Sequence, residues 1–140
     1  MKVILTNMVM VYKDDGSFLV QNRIKNDWPG INFPGGHIEK NETMEASAFR
    51  EIKEETGLIL DEVECCGSYS WLDYKKNKHH LCILYRTNKF HGELVSSNEG
   101  EVFFIKGNDL DKYQLSLDFD KILEICMKGV IDGTFIASRK

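Results

Sequence analysis

Residues 36–58 read GHIEKNETMEASAFREIKEETGL, and this stretch decides the fold of the 140-residue chain. Residues 41–56 within it predict a helix, because good helix formers fill the segment. The hydroxyl of Thr43 can accept a hydrogen bond from the first turn, and Gly57 can end the helix in a left-handed backbone conformation. The stretch therefore predicts a polar loop that leads into a well-capped helix.

Three glutamates share one face of the predicted helix. Glu51, Glu54 and Glu55 are spaced at i, i+3 and i+4, which places them within an arc of about 100°. Like charges at these spacings destabilise a helix by roughly 0.2–0.5 kcal/mol each, and the helix dipole disfavours anions near the C-terminus. A cation would remove this cost, and oxygen-only ligands favour Mg²⁺ or Mn²⁺. The alternative is a solvent-exposed acidic face that pairs with nearby lysine and arginine side chains.

The composition argues against several classes of protein. Hydrophobic residues make up 42% and charged residues 29% of the chain, and the mean hydropathy is −0.33, which are values of an ordinary globular protein. The net charge of −4 predicts that the chain does not bind nucleic acid, which requires clustered basic residues. Apolar residues near the N-terminus are interrupted by Thr6-Asn7, and no segment reaches the ~18 apolar residues of a membrane span.

The cysteine pattern indicates the compartment. The chain has four cysteines, and none forms a C-x-x-C pair. We expect free thiols in a reducing cytoplasm. A zinc site that uses His79 or His80 is the alternative, but its ligand spacing fits no common zinc motif. The cysteines are Cys65, Cys66, Cys82 and Cys126.

The remaining pattern predicts one layered α/β domain over residues 1–140. Apolar and β-branched runs predict strands, and a second apolar helix follows near the end of the chain. A polar segment with glycine and proline, residues 25–30, is typical of a loop. The predicted strands are 3–12, 17–23, 63–72, 80–87 and 101–105, and the second helix is 117–131.

Residues 36–58 resemble the Nudix box, G-x5-E-x7-R-E-U-x-E-E-x-G-U, where U is an aliphatic residue. All nine specified positions match: Gly36, Glu42, Arg50, Glu51, Ile52, Glu54, Glu55, Gly57 and Leu58. The resemblance implies a Nudix-type α/β/α sandwich with a mixed sheet and two main helices. It also implies a nucleoside triphosphate pyrophosphohydrolase, or more generally an enzyme that splits a nucleoside diphosphate linked to another group.

The resemblance implies roles for the residues of the box. Glu51, Glu54 and Glu55 would be catalytic metal ligands, and one of them would serve as or orient the general base, with Glu51 and Glu54 as the leading choices. The carbonyl oxygen of Gly35 would be a further metal ligand. Arg50 would hold a box carboxylate in place by a charge-assisted bidentate contact. The implied cofactor is Mg²⁺, with Mn²⁺ as a possible substitute.

Outside the box, the resemblance implies further site residues. Glu101 resembles an extra metal-binding carboxylate that many members bring from a later loop, and Glu99 is the competing choice. Arg23 resembles an arginine that contacts substrate phosphate in MutT-like members, although an ordinary exposed arginine fits the pattern equally well. Glu42 would support the junction between loop and helix.

The resemblance points to the MutT-like branch, which includes enzymes that hydrolyse oxidised purine nucleotides such as 8-oxo-dGTP. Asn32 and Asp118 would read the purine, because an amide or carboxylate can pair with a base edge. A turn-forming Asn32 and a helix-capping Asp118 are the alternatives. Trp28, Tyr69 and Trp71 could stack on a base. Other nucleotides (ADP-ribose, NADH, dinucleoside polyphosphates) and a non-catalytic nucleotide sensor stay open, as does the choice between monomer and homodimer.

Overall fold

The computed structural model describes residues 1–128 of the chain. These residues form nine strands, two α-helices and one 3₁₀ helix. The strands are β1 (Lys2–Val11), β2 (Phe18–Arg23), β3 (Gly30–Asn32), β4 (Gly35–His37), β5 (Leu58–Leu60), β6 (Glu64–Asp73), β7 (Lys78–Thr87), β8 (Phe90–Gly92) and β9 (Gly100–Ile105). The helices are α1 (Met44–Thr56), the 3₁₀ helix (Gly107–Lys112) and α2 (Phe119–Lys128).

The strands form three hydrogen-bonded groups. The largest has the order β4-β1-β7-β6, in which β1 and β7 run parallel and the outer strands run antiparallel to them. A second group has the order β3-β2-β9, and β5 pairs with β8 in a third. The mixed sheet implied by the Nudix resemblance is therefore present.

Apolar side chains on the two faces of the large sheet form two cores. Val9 and Val11 of β1 pack with Ala48 and Ile52 of α1 on one face. On the other face, Met10 packs in a cluster that includes α2 and the aromatic residues of β6. This alternation along β1 follows from the two-residue period of a strand. The sheet lies between the two helices, so the predicted α/β/α fold class is confirmed.

The first helix is capped as its sequence predicts. Thr43 accepts a hydrogen bond from the Ala46 amide at 3.0 Å, and Gly57 follows the helix with a φ of 77°. The helix begins at Met44 rather than at Asn41, because Asn41 has a φ of 71°, which is incompatible with a right-handed helix. The capped ends fix the length of the helix that carries the box glutamates.

Other elements differ from the sequence expectations. The five predicted strands match β1, β2, β6, β7 and β9 within two residues at each end. The short strands β3, β4, β5 and β8 were not among the predicted strands, because three residues carry too little pattern. The second helix begins at Phe119, since Asp118 has a φ of 65°. Its predicted residues 129–131 lie outside the described residues.

The described helices bear on whether the chain could cross a membrane. Among residues 1–128, no helix has the length and apolar character that crossing a membrane requires.

Candidate active site

The glycine turn at β4 lies directly against α1. Strand β4 pairs with β1 so that Gly36 is opposite Asn7 and Gly35 is opposite Met8. A Cβ on Gly35 would overlap the main-chain oxygen of Asn7, and a Cβ on Gly36 would lie 2.6 Å from the carboxylate of Glu51. Only glycine fits at position 35, and a side chain at position 36 would displace the Glu51 carboxylate, so the turn backbone lies at contact distance of the helix glutamates.

Glu55 is the most deeply buried of the three glutamates. It is 5% exposed, and its Oε2 atom accepts a hydrogen bond from the Gly35 amide at 2.9 Å. Burial raises the pKa of Glu55 to about 9, and a hydrogen bond with Glu99 contributes in the same direction. The same contact lowers the pKa of Glu99, so a proton held by the pair is favoured on Glu55 rather than on Glu99.

Glu51 and Glu54 lie nearer the surface than Glu55. The side chain of Glu51 is 14% exposed and that of Glu54 is 59% exposed. Burial raises the pKa of Glu51, the Arg50 guanidinium opposes this shift, and the carboxylates of Glu54 and Glu99 add to it. The three carboxylates therefore lie at increasing depth: Glu54 is exposed, Glu51 is largely buried and Glu55 is buried.

Arg50 connects these carboxylates to the loop before the helix. Its Nε and Nη2 atoms donate to both oxygens of Glu42, at 3.0 and 2.7 Å. Its Nη1 atom donates to Glu51 at 2.9 Å and to Glu54 at 3.2 Å. The bidentate contact lowers the pKa of Glu42 to about 2. Arg50 thus contacts Glu51 and Glu54 through one nitrogen and holds Glu42 of the loop through two, and its positioning role stays a prediction.

The donor set suits a hard divalent cation. Within residues 1–128, no three acidic, histidine or cysteine side chains converge as a ready-made metal site, since Glu51 and Glu54 bond to Arg50. All the donors are nevertheless carboxylate oxygens, the ligands that Mg²⁺ and Mn²⁺ prefer. Burial and mutual repulsion raise the pKa values of Glu51 and Glu55, and a cation would reverse both shifts. The residues present therefore fit the implied metal.

The structure brings Glu99, rather than Glu101, to the glutamate cluster. Glu99 precedes β9 and is hydrogen-bonded to Glu55, as described above. Glu101 is exposed on β9, opposite Asn22. Glu99 lies in a turn that is closed by a hydrogen bond from the Gly100 amide to the Ser97 carbonyl, and sequence spacing alone does not reveal this turn.

Arg23 lies at the edge of the same cluster. Its Nη1 atom is 3.6 Å from Glu99, and its Nε and Nη2 atoms donate to the backbone and side chain of Asp27 at 3.0 and 3.1 Å. These contacts hold the loop that follows β2 beside the glutamates. Trp28, the next residue of this loop, adopts a φ of 64°.

The loop that begins at Arg23 leads to a cluster of aromatic side chains, which we call the aromatic end (Trp28, Tyr69, Trp71 and His80). The Trp71 and His80 rings stack with centroids 4.4 Å apart and an angle of 3°, and the Trp28 ring lies 4.5 Å from Trp71. Tyr69 lies 5.6 Å from Trp71. Burial lowers the pKa of His80. Sequence reasoning missed His80, because its contact depends on the pairing of Trp71 with His80 between β6 and β7.

The two predicted purine readers lie near this end. Asn32 is 5% exposed, and its Oδ1 atom accepts a hydrogen bond from the Phe33 amide at 3.0 Å. Phe33 packs on Phe119, with ring centroids 4.9 Å apart. Asp118, which precedes Phe119, accepts a hydrogen bond from the Tyr69 hydroxyl. Phe33 and Phe119 thus link the segments that carry Asn32 and Asp118.

Comparison with known proteins identifies the family. A family model described as NUDIX domain matches residues 3–124. The chain belongs to the NUDIX family. It is 34% identical over 120 residues to the ADP-ribose pyrophosphatase of Methanocaldococcus jannaschii, a match that covers 84% of this chain and 70% of that protein.

Two further similarities extend the comparison. An RNA pyrophosphohydrolase of Xanthomonas campestris is 31% identical over 83 residues, which cover 54% of this chain and 40% of that protein. The crystal structure of a MutT NUDIX hydrolase from Burkholderia pseudomallei superposes with a TM-score of 0.78 at 21% identity, covering 89% of this chain and 98% of that one. The family and the fold implied by the Nudix box are confirmed, and the protein is a Nudix hydrolase. Members of this family generally depend on a divalent metal.

Proposed function

We propose that this Nudix hydrolase cleaves purine nucleoside triphosphates, including oxidised forms such as 8-oxo-dGTP, to the monophosphate and pyrophosphate. The supporting observation is that one loop adjoins both ends of the site. Arg23 at its start lies 3.6 Å from Glu99, and Trp28 near its end packs against Trp71 with the two rings tilted by 56°. A phosphate chain at the glutamates would therefore leave the base beside aromatic rings, which bind bases by stacking.

We infer that Mg²⁺, or Mn²⁺ in its place, binds to the box glutamates and the Gly35 carbonyl. Glu99 replaces Glu101 as the additional ligand in this proposal, because it contacts Glu55. The metal, when bound, activates water and neutralises phosphate oxygens. Arg50 keeps Glu51 and Glu54 at the helix surface, where either can serve as or orient the general base.

The substrate contacts follow from the same placement. Asn32 and Asp118 would pair with the purine edge, and Tyr69 would orient the Asp118 carboxylate through the bond from its hydroxyl. Arg23 would contact substrate phosphate, since its guanidinium already lies among the acidic groups of the cluster. The partner is a small nucleotide, and the domain is proposed to span residues 1–140. The four free cysteines are consistent with a protein of the cytoplasm.

ADP-ribose is the second candidate substrate. The relative from Methanocaldococcus jannaschii favours it, because that match spans most of this chain. Both substrates present a diphosphate next to a purine nucleoside, so the glutamate cluster would act on either. They differ in what lies beyond the diphosphate, a further phosphate in one and a ribose in the other.

A panel of nucleotides tests this proposal. The purified protein would be incubated with GTP, 8-oxo-dGTP, ATP, ADP-ribose, NADH and a dinucleoside polyphosphate, in Mg²⁺ or Mn²⁺, and the products separated by ion-exchange chromatography. We expect the highest kcat/KM for a purine triphosphate, with release of pyrophosphate. Preferential conversion of ADP-ribose to AMP and ribose 5-phosphate would establish the second candidate. Binding of a nucleotide without any product would instead support a sensor.

A further inference from the structure

Strand β1 carries one buried amide where its pattern would place an apolar residue. Asn7, Val9 and Val11 face α1, and Met8 and Met10 face the opposite core. Asn7 is 1% exposed, and within residues 1–128 its Oδ1 atom has no hydrogen-bond partner. A buried polar atom without a partner is unfavourable. The unpartnered Oδ1 atom of Asn7 therefore costs free energy of folding. The contact that the amide makes comes from its other polar atom, Nδ2.

The other atom of the amide bonds to the catalytic helix. Asn7 Nδ2 donates to Ser47 Oγ at 2.7 Å, and the Ser47 hydroxyl donates to the carbonyl of Met44 at 2.6 Å. Ser47 is fully buried. Since Ser47, Glu51 and Glu55 are spaced at i, i+4 and i+8, they lie along one stripe of α1. The amide thus contacts the same stripe that presents two box glutamates.

The backbone of Asn7 contacts the other half of the metal site. It pairs with Gly36, and its carbonyl oxygen is the atom that excludes a side chain at position 35. Asn7 therefore contacts the glycine turn through its main chain and α1 through its side chain. A directional hydrogen bond fixes the position of a helix along its axis, whereas apolar contacts such as Val9 with Ile52 tolerate sliding.

We propose that Asn7 is a positioning residue of this hydrolase, whose bond to Ser47 sets the register of α1 against the Gly35–Gly36 turn. A slide of one residue would displace a helix side chain by about 1.5 Å along the axis. Such a slide would move Glu55 away from the Gly35 amide and Glu51 away from Gly36. The proposal rests on the metal site proposed above, because its functional consequence is the placement of those carboxylates.

The test replaces the bonded pair by apolar side chains of similar size. Asn7→Val removes the hydrogen bond together with the unpartnered Oδ1 atom, so we expect Tm to be retained, whereas Ser47→Ala leaves Asn7 Nδ2 buried without a partner and should lower Tm. Hydrogen exchange at the Gly35 amide of the metal-free protein reports the register, since that amide bonds to Glu55. In each variant we expect exchange at the Gly35 amide to be about tenfold faster than in the parent. We expect the affinity for Mn²⁺, measured by electron paramagnetic resonance, to be about tenfold weaker. The double variant should have the same Gly35 exchange rate and the same Mn²⁺ affinity as either single variant, because both substitutions remove the same hydrogen bond.

Thr87→Val is the matched control. Thr87 is a buried hydroxyl residue that accepts a hydrogen bond from the Lys89 amide, and it pairs with the far end of β1 at Val11. It should leave Gly35 exchange and Mn²⁺ binding unchanged. Parent-like exchange at Gly35 in both Asn7→Val and Ser47→Ala would overturn the proposal, as would faster exchange in Asn7→Val that only parallels a fall in the Tm of that variant. These readouts need no nucleotide, so failure of the proposed substrate would leave them interpretable.

Discussion

The acidic end and the aromatic end of the site are built from different parts of the chain. Glu51, Glu54 and Glu55 come from one helix within five residues of sequence. The stacked rings of Trp71 and His80 come from two strands, and Trp28 comes from a distant loop. The acidic end is set by local helix geometry, whereas the aromatic end depends on how strands pair.

The two ends also differ in their electrostatics. Burial raises the pKa values of Glu51 and Glu55, so the acidic end has an energetic cost that a cation removes. At the aromatic end, Tyr69 bonds to Asp118 and the neighbouring rings stack on one another. In the proposed function, bond cleavage belongs to the acidic end and substrate selection to the aromatic end. Changes at the first should lower kcat, and changes at the second should raise KM.

The largest effect is expected at the box glutamates. Glu54→Gln and Glu55→Gln should each lower kcat by about 10³-fold, because each removes a metal-binding or proton-accepting oxygen. Steady-state kinetics with the preferred nucleotide would measure this. Glu45→Gln is the control, since Glu45 is exposed in the first turn of the same helix. Near-normal kcat in both glutamine variants, with the fold intact by circular dichroism, would remove the assigned roles.

A smaller effect on activity should distinguish the role of Glu99 from that of Glu101. Glu99→Gln removes a carboxylate that contacts Glu55, and we expect kcat/KM to fall about 10–100-fold. Glu101→Gln changes an exposed side chain two residues away, and we expect activity within about twofold of the parent. Assays at saturating and limiting Mg²⁺ would show whether the loss at Glu99 is a loss of metal affinity. The reverse ranking would restore Glu101 as the additional ligand.

Substitutions at the aromatic end should change mainly KM. Trp71→Leu removes the ring that lies between Trp28 and His80, and we expect KM to rise about tenfold with little change in kcat, because base stacking contributes roughly 1–3 kcal/mol. Tyr74→Leu is the control, since Tyr74 is an aromatic residue that is 54% exposed just beyond β6. An equal fall in kcat without a change in KM would show that Trp71 acts on the chemical step instead.

The same contrast explains how much the sequence could predict. The box fixes α1, its caps and the order of its glutamates, because all of these depend on neighbours within one or two turns. Arg50 was also predictable as a positioning residue, since it lies in the same motif. The fold class and the five longer strands followed from hydrophobic periodicity.

Features that depend on long-range pairing could not be predicted. The sequence pattern favoured Glu101, because it cannot show the turn between Ser97 and Gly100 in which Glu99 lies beside Glu55. The stacking of Trp71 on His80 requires the register between β6 and β7. The bond from Asn7 to Ser47 spans 40 residues. Each of these contacts is set by the sheet, so local spacing does not contain it.

A separate expected effect, on stability rather than on turnover, is a pH dependence that belongs to the acidic end. The pKa of Glu55 is about 9 in the folded protein, against an ordinary value of 4.5 in the unfolded chain. The folded state therefore binds this proton more tightly, so its contribution to stability is full below about pH 4.5 and is lost as the pH rises through about 9. In metal-free protein, Tm measured by differential scanning calorimetry should fall between these pH values.

Glu55→Gln should flatten this pH dependence, because glutamine cannot lose a proton, whereas Glu101→Gln should leave it unchanged. Mg²⁺ should raise Tm of the parent more at pH 9 than at pH 6, since a cation stabilises the ionised Glu55 carboxylate. Parallel Tm profiles for the parent and Glu55→Gln would mean that Glu55 is already ionised at neutral pH. The acidic end would then have no electrostatic cost for a metal to remove, and its contrast with the aromatic end would rest on geometry alone.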